Sequence, residues 1–379
     1  MNIPRRTIHL PTGVLPAMLE AALATPAERG ALLAAFEDAM LRHLGGGHVA
    51  LVGSGRLGLR LVLEGLGARR VSLPAFTDES VPEAVARANA VALFTDVDRH
   101  SMNASVVDPS ADTVLVTHLF GAPNALAKNA PGQRIIEDCA HAIDGQLDGR
   151  RLGSLGLASF FSFVVTKAVN TFGGGAVWTR DAGLAEHVRD AVSRLPEPPG
   201  LFQRVAVGAA LNRLTRTRTF SNVGPALLWA ADRAGGAVAA YDKTVRRGTM
   251  NAHVDTAFSA MQAAAGLVQL RTLPQTQARR HAVAERLVKA LPRSLEAQAT
   301  PAGGTHALYF LVVRCDAPEA VIPRLRSLGV DVGVRPMRNV GGAGFANAAW
   351  LEEHTLQLPI HPELDEAAVA HLEGALRRL

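Results

Sequence analysis

The chain has 379 residues, 48% of them hydrophobic, and a formal net charge of +5. That length suits one large domain with a smaller companion and is enough to bury a sizeable core. Scattered basic residues with few aromatics (5%) argue against a nucleic-acid-binding stripe, and the two cysteines, Cys139 and Cys315, argue against a disulfide framework and fit a reducing cytoplasm.

No apolar run long enough to span a bilayer is present. The opening MNIPRRTIHLPTG has no apolar stretch behind its arginines, so no signal peptide is expected. Residues 14–44 are predicted helical, with Thr25-Pro26 starting a helix through Leu32, Phe36 and Met40. His48 to Val52 reads as a buried strand. It runs into Gly53-Ser54-Gly55-Arg56-Leu57-Gly58 and then a helix through Leu59, Leu63 and Leu66. A glycine-rich turn between strand and helix offers free backbone N–H groups to a phosphate. The G-x-G-x-x-G spacing, with Asp78 at the distance of a ribose-binding acid, also matches the nicotinamide-dinucleotide fingerprint. Against that, Asp78 follows Pro74-Ala75-Phe76-Thr77 and does not close a strand.

Alternation continues. Val71 to Leu73 is a predicted strand, Glu79 to Ala88 a helix, Ala90 to Phe94 a strand and Val114 to Val116 a strand ending at Thr117-His118. Such a pattern predicts an α/β fold with a mainly parallel central sheet and helices on both faces. Ligands of such sheets bind beyond the strand C-terminal ends. Gly53 to Arg56, Phe76 to Asp78, His118 and Asp138 all fall there. For His118 a hydrogen-bonded core histidine and a substrate contact are both open readings.

The stretch 134–179 carries the chemistry. Ile135-Ile136 ends in Glu137 and Asp138, and the apolar run from Phe160 to Val165 precedes Lys167 and the glycines Gly173, Gly174 and Gly175. Lysine occurs only at Lys128, Lys167, Lys243 and Lys289, in a chain that otherwise writes its positive charge as arginine. A lysine can lose its proton and form an imine, whereas arginine cannot. The run before Lys167 predicts a low-dielectric setting that frees the amine. A lysine and a strand-end carboxylate suit an aldehyde cofactor whose ring nitrogen the acid keeps protonated.

Glu137-Asp138-Cys139-Ala140-His141, Gly153-Ser154, Phe161-Ser162-Phe163, Lys167 and the glycine run, in that order, closely resemble the signature of the DegT/DnrJ/EryC1/StrS family of sugar aminotransferases. The resemblance implies fold-type I architecture and pyridoxal 5′-phosphate. It assigns the cofactor linkage to Lys167, the ring nitrogen to Asp138 and a ring contact to His141. It places the phosphate at Ser54, Gly55, Arg56 and Ser162, with Arg56 standing where the family usually has threonine. Pro74-Ala75-Phe76-Thr77 resembles the family's Pro-x-x-Thr, but the position of the expected stacking aromatic holds Asp78, which leaves Phe76, a residue elsewhere in the chain or His141 to cover the ring.

Beyond a predicted helix at 181–195, Pro196-Glu197-Pro198-Pro199-Gly200 breaks the chain. Residues 197–247 read as a helical insertion in a large domain of residues 1–250. Residues 201–240, with Arg204, Arg213, Arg216 and Arg218, pack on the protein, on a second subunit or, less expectedly, on a membrane surface. A small α+β domain, 251–379, follows. It opens with Ser259 to Leu273 and a helix after Pro274. Then come a strand from Ala307 to Arg314, a helix from Pro318 to Leu328, a strand from Val330 to Val334 and a final helix. Asp255 and Ala257 replace family residues that reach a neighbouring subunit's phosphate, with Arg247 and Asn251 nearby as substitutes. A homodimer is still expected. Arg335, where the family often carries histidine, is a candidate for an anionic substrate group.

The expected activity is amino transfer from glutamate or glutamine to a keto acceptor, by resemblance a nucleotide-linked keto sugar, with no metal. The alternatives are action on a non-sugar carbonyl, an elimination, a nicotinamide-dependent oxidoreductase and a non-catalytic relative.

Overall fold

The computed structural model describes residues 2–128, 132–206 and 255–379. Two helices open the chain, α1 (Val14–Leu23) and α2 (Pro26–Leu44). The start of α2 is set by a capping box: the Thr25 hydroxyl accepts from Glu28 N–H, the Glu28 carboxylate accepts from Thr25 N–H, and Pro26 takes the first turn. Then β1 (His48–Val52) leads into α3 (Gly55–Leu66), followed by β2 (Arg70–Pro74), β3 (Phe76–Thr77), α4 (Ser80–Arg87) and β4 (Val91–Thr95). β5 (Thr113–Thr117), β6 (Arg134–Asp138), β7 (Gln146–Leu147), β8 (Arg150–Arg151), β9 (Ala158–Ser162), β10 (Gly175–Thr179) and α5 (Ala182–Ser193) complete this part.

Seven strands form one sheet in the order β1-β10-β9-β6-β5-β2-β4. β9, β6, β5, β2 and β4 run parallel, while β10 is antiparallel to both of its neighbours. One face is covered by α3, α4 and α5 through Leu57, Val62, Val81, Val85, Leu184 and Val188. The other packs Trp178 and Phe161 against Phe36 and Met40 of α2. This is the mainly parallel sheet with helices on both faces expected from the alternation, and it matches the fold-type I architecture that the resemblance implies.

The long helix α6 (Ala260–Lys289) ties this sheet to the rest. Ala263 and Leu273 lie in the core of the large sheet, whereas Val283, Ala284 and Leu287 lie in a second core. Gly266 lets α2 come close, since a Cβ there would stand 2.4 Å from the Phe36 ring. Pro274 was expected to separate two segments, yet the helix runs through it. A Ser259–Gln262 capping box anchors its start, and packing on both flanks outweighs the missing N–H.

The second core lies under an antiparallel sheet, β11-β13-β16-β14, formed by β11 (Leu295–Ala297), β13 (Leu311–Cys315), β14 (Gly333–Val334) and β16 (Thr355–Leu358). It is covered by α7 (Pro318–Ser327) and α9 (Glu366–Leu376). Two of these strands are shorter than the sequence implied. Ala307 to Phe310 stay outside β13 because Leu308 adopts a left-handed φ of 46°. Val330 instead bridges Ile3, which joins the N-terminus to this unit. The short strand β12 (Gly304–Thr305) pairs with β7, and β15 (Arg338–Asn339) pairs with β3, so both link the two units. α8 (Ala346–His354) packs beside β15. A boundary at residues 250–251, Arg213, Arg216, Arg218, Arg247, Asn251 and all of the insertion beyond residue 206 lie outside the described residues. Residues 201–206 are helical.

Candidate active site

Register draws the site together at one end of the sheet. Asp138 pairs with Phe160, Ser162 with Gly175, and Gly175 with Val52. The loop after β1 therefore lies beside the end of β9. Gly175 permits this approach, because a Cβ there would stand 2.3 Å from the Phe161 carbonyl oxygen and 2.8 Å from the Gly55 nitrogen. A Cβ on Gly55 would lie 3.2 Å from that of Ser162. Ser54, Gly55 and Ser162 thus share one corner at the N-terminus of α3. The Ser54 hydroxyl caps that helix by accepting from Leu57 N–H at 3.1 Å.

Arg56 is committed elsewhere. Its Nη1 donates to Glu83 of α4 at 3.2 Å, and among the described residues its buried Nε has no hydrogen-bond partner. The guanidinium grip expected from the sequence is replaced by an ion pair between two helices.

Asp138 ends β6 and is 6% exposed. Its Oδ1 accepts from Ala140 N–H at 3.0 Å, and among the described residues Oδ2 has no hydrogen-bond partner. Burial pushes its carboxyl above the ordinary value, against the Ala140 N–H and the neighbouring Lys167 and His118 side chains, and Asp78 adds to the rise. Lys167 is half-buried, not enclosed as the preceding apolar run implied, because β9 stops at Ser162 and Val164 turns outward at 39% exposure. The loop after it is fixed by α6, where Gln269 Oε1 accepts from Asn170 N–H at 2.8 Å.

His141 is neutral. Burial pushes its imidazole well below the ordinary value, and Lys167 and Arg6 act in the same direction. Its Nδ1 accepts from Phe120 N–H at 3.2 Å. Its ring stacks on Tyr309, with centroids 4.3 Å apart and planes at 22°. Nζ of Lys167 stands 4.5 Å from the centre of that same Tyr309 ring. Tyr309, with Lys167, His141, Ser162 and Ala307, lines a cavity at this point. Nothing in the periodicity of the sequence marked it; the only local signal is the rarity of tyrosine, which occurs twice in the chain.

Three sequence candidates are placed differently. Phe76 is fully buried and packs edge-on against Phe120 at 6.4 Å, so its ring belongs to the core. His118 is also fully buried, with Nδ1 accepting from Asn124 N–H at 3.0 Å and Nε2 donating to Glu137 at 2.9 Å. It is the core histidine, not a substrate contact. Arg335, at a left-handed φ of 48°, is half-exposed and paired with Glu353. Asp255, which was expected to repel a phosphate, pairs with Arg60 of α3 at 3.3 Å.

Among the described residues one His/Cys/acid cluster has metal-ligand spacing: His118, Glu137 and Cys139. Two of its three side chains, His118 and Glu137, are already engaged in hydrogen bonds. Glu137 accepts from Gly153, Leu155 and Gly156 N–H at 2.7–2.8 Å besides His118. Burial pushes the Glu137 carboxyl up, but His118 and the Gly156 and Gly153 N–H groups outweigh it and hold the group below its usual range. The Gly53–Gly58 loop also fails the dinucleotide test, since β1 lies at the sheet edge beside an antiparallel strand, away from any crossover of parallel strands.

The family model for the DegT/DnrJ/EryC1/StrS aminotransferases matches residues 16–377. The chain belongs to the DegT/DnrJ/EryC1/StrS aminotransferase family. This family member is 25% identical to the spore coat polysaccharide biosynthesis protein SpsC of Bacillus subtilis, over 92% of this chain and 90% of that one. It is 26% identical to a dTDP-4-dehydro-2,3,6-trideoxy-D-glucose 4-aminotransferase of Saccharopolyspora spinosa, over 88% and 85%. Among solved structures it superposes on the aminotransferase TlmJ from Streptoalloteichus hindustanus with a TM-score of 0.76, 26% identity and coverage of 100% and 98%. It is therefore an amino-transferring enzyme of a pyridoxal-phosphate-dependent family, and the oxidoreductase and non-catalytic readings fall. The residues present fit that cofactor. They offer an amine, a buried carboxylate with one unused oxygen, a neutral imidazole and a helix N-terminus flanked by two serines. Among the described residues no helix is long and apolar enough to cross a membrane.

Proposed function

We propose that this aminotransferase moves an amino group from glutamate or glutamine to a keto sugar carried on a nucleotide. The observation that carries the catalytic half is that Lys167 and His141 line one cavity whose wall begins at Cys139, directly after Asp138 at the end of β6. The acceptor class rests on relatives of matching length that are named for polysaccharide biosynthesis and for a dTDP-linked dehydro sugar.

Pyridoxal phosphate, when bound, supplies an electron sink for a carbon that loses its proton beside nitrogen. Ser54, Gly55 and Ser162 bind its phosphate, with the first-turn N–H groups of α3 aimed at the charge. The unused Oδ2 of Asp138 holds a proton on the ring nitrogen, and burial makes that charge-assisted bond strong. Lys167 Nζ would hold the cofactor, and the same amine moves a proton as general base and acid. His141, uncharged with its Nδ1 accepting from Phe120 N–H, offers its ring to the cofactor. Arg56 contributes indirectly, by fastening α3 to α4 through Glu83.

The protein works as a homodimer in the cytoplasm in this reading; the two free buried cysteines agree with a reducing compartment. A second reading, a keto acceptor without a nucleotide, is favoured by one observation. Arg335, the cation placed for an anionic substrate group, is paired with Glu353. Incubating the purified enzyme with either donor and a panel of nucleotide-linked and free keto sugars, with mass detection of the aminated product, tests both. Amination of the nucleotide-linked ketones alone supports the first reading. Amination of free ketones alone overturns it in favour of the second.

A further inference from the structure

The position after Thr77 holds Asp78, so the aromatic ring that the family resemblance puts there is missing. Among the rings lining the cavity with Lys167, Phe161 and Phe163 are each 1% exposed and locked in the core. Phe76 is locked likewise. Tyr309 differs because it touches three elements of the site at once. Its ring stacks on His141 at 4.3 Å, carries Nζ of Lys167 at 4.5 Å from its centre, and its Oη shares a hydrogen bond of 2.8 Å with Oγ1 of Thr166, the residue before Lys167.

The segment that holds Tyr309 is itself over-determined. Leu308 sits at φ 46°, a conformation that costs a branched side chain energy and persists only under constraint. His306 Nδ1 accepts its N–H at 2.8 Å, and Arg280 Nη1 donates to its carbonyl at 3.3 Å. Gln277 Nε2 donates to the Ala307 carbonyl at 2.6 Å, while Ala307 N–H donates to Gly121 at 2.8 Å. Gln277 and Arg280 both belong to α6, the helix whose Gln269 fixes the loop on the far side of Lys167. One helix thus aligns the lysine loop and the ring beneath it.

We propose that Tyr309 is a positioning residue for Lys167 and supplies, from the C-terminal half of the chain, the aromatic face that Asp78 cannot. This rests on the reading that Lys167 carries the cofactor. Any group bonded to Nζ begins over the Tyr309 ring, so the ring fixes the angle at which that group leaves the lysine. An ammonium over an aromatic face is also held in place before the cofactor arrives.

The test is a titration of the cofactor-free protein with pyridoxal phosphate, following affinity, visible-band circular dichroism per bound cofactor and melting temperature. If the wild-type protein develops no visible band, the cofactor reading fails and not this one. Given that band, Tyr309→Leu should weaken affinity roughly tenfold and remove most of the dichroism, as expected for loss of a cation–π and stacking partner. Tyr309→Phe, which keeps the ring, should remain within about threefold of wild type, the loss of one hydrogen bond. Tyr309→Phe and Thr166→Val delete the same bond, so their double variant should be no worse than either alone, which decides the matter even where Tyr309→Leu does not fold. Wild-type dichroism and affinity in Tyr309→Leu, a Phe variant as impaired as the Leu variant, or additive losses in the double variant would each overturn the proposal.

Discussion

Nε2 of His118 lies 2.9 Å from a carboxylate oxygen of Glu137, and neither side chain is exposed. With three backbone N–H groups also pointing at that carboxylate, the pair holds the turn at 153–156 against the strand end that presents Asp138. Replacing Glu137 by Gln should destabilise the fold by about 3 kcal/mol, because it leaves a buried donor cluster without its charge. The sign of the pH effect follows from the depressed carboxyl. Its stabilisation is present above the ordinary value of 4.5 and is lost as pH falls through the lower folded value. Chemical denaturation of wild type and Glu137→Gln between pH 7 and acid should therefore show the gap closing in acid.

Asp138 has the opposite sign. Its folded carboxyl is raised by burial, so the ionised group costs stability as pH rises above 3.8, and that cost persists at neutral pH. Asp138→Asn should stabilise the cofactor-free protein at pH 7 while abolishing transamination. Melting curves at several pH values check this; a variant less stable than wild type at pH 7 would contradict it.

Pro274 is exposed and lies inside a continuous helix. Pro274→Ala restores one N–H and removes a ring clash, and it should raise stability by about 1–3 kcal/mol with turnover unchanged. Calorimetry alongside an activity assay reads both.

Arg56 spends its guanidinium on Glu83. Arg56→Ala should therefore leave pyridoxal phosphate affinity within about threefold of wild type, the size of a lost partly exposed ion pair's influence. Gly175→Ala should do much more, because its methyl meets the Phe161 carbonyl and the Gly55 nitrogen; a loss of about 2 kcal/mol in stability and a larger loss of affinity are expected. Equilibrium binding on the two variants ranks them.

What was legible in the sequence was local. Strand-end acids, glycine turns and alternating elements signal themselves through nearest neighbours, so the sequence alone places Asp138 at a strand end and Ser54–Gly55 at a strand-to-helix turn, where the structure has them. What was missed depends on tertiary approach. Tyr309 reaches Lys167 only because Leu308 kinks the chain and α6 clamps it. Asp255 looked repulsive until Arg60, far away in sequence, came beside it. Phe76 and Phe120, well separated along the chain, close on each other and remove Phe76 from the site. Pro274 misled because propensity is a weak prior where both flanks of a helix are packed.

The central claim is that Lys167 is the residue that carries the cofactor. The most direct measurement is borohydride reduction of the protein loaded with pyridoxal phosphate, followed by peptide mass mapping of wild type and Lys167→Ala. The account predicts that reduction removes the visible band and leaves the cofactor's mass on the peptide containing Lys167, with no such adduct in the variant. Cofactor mass on Lys128, Lys243 or Lys289, or an unlabelled wild-type protein, would contradict it.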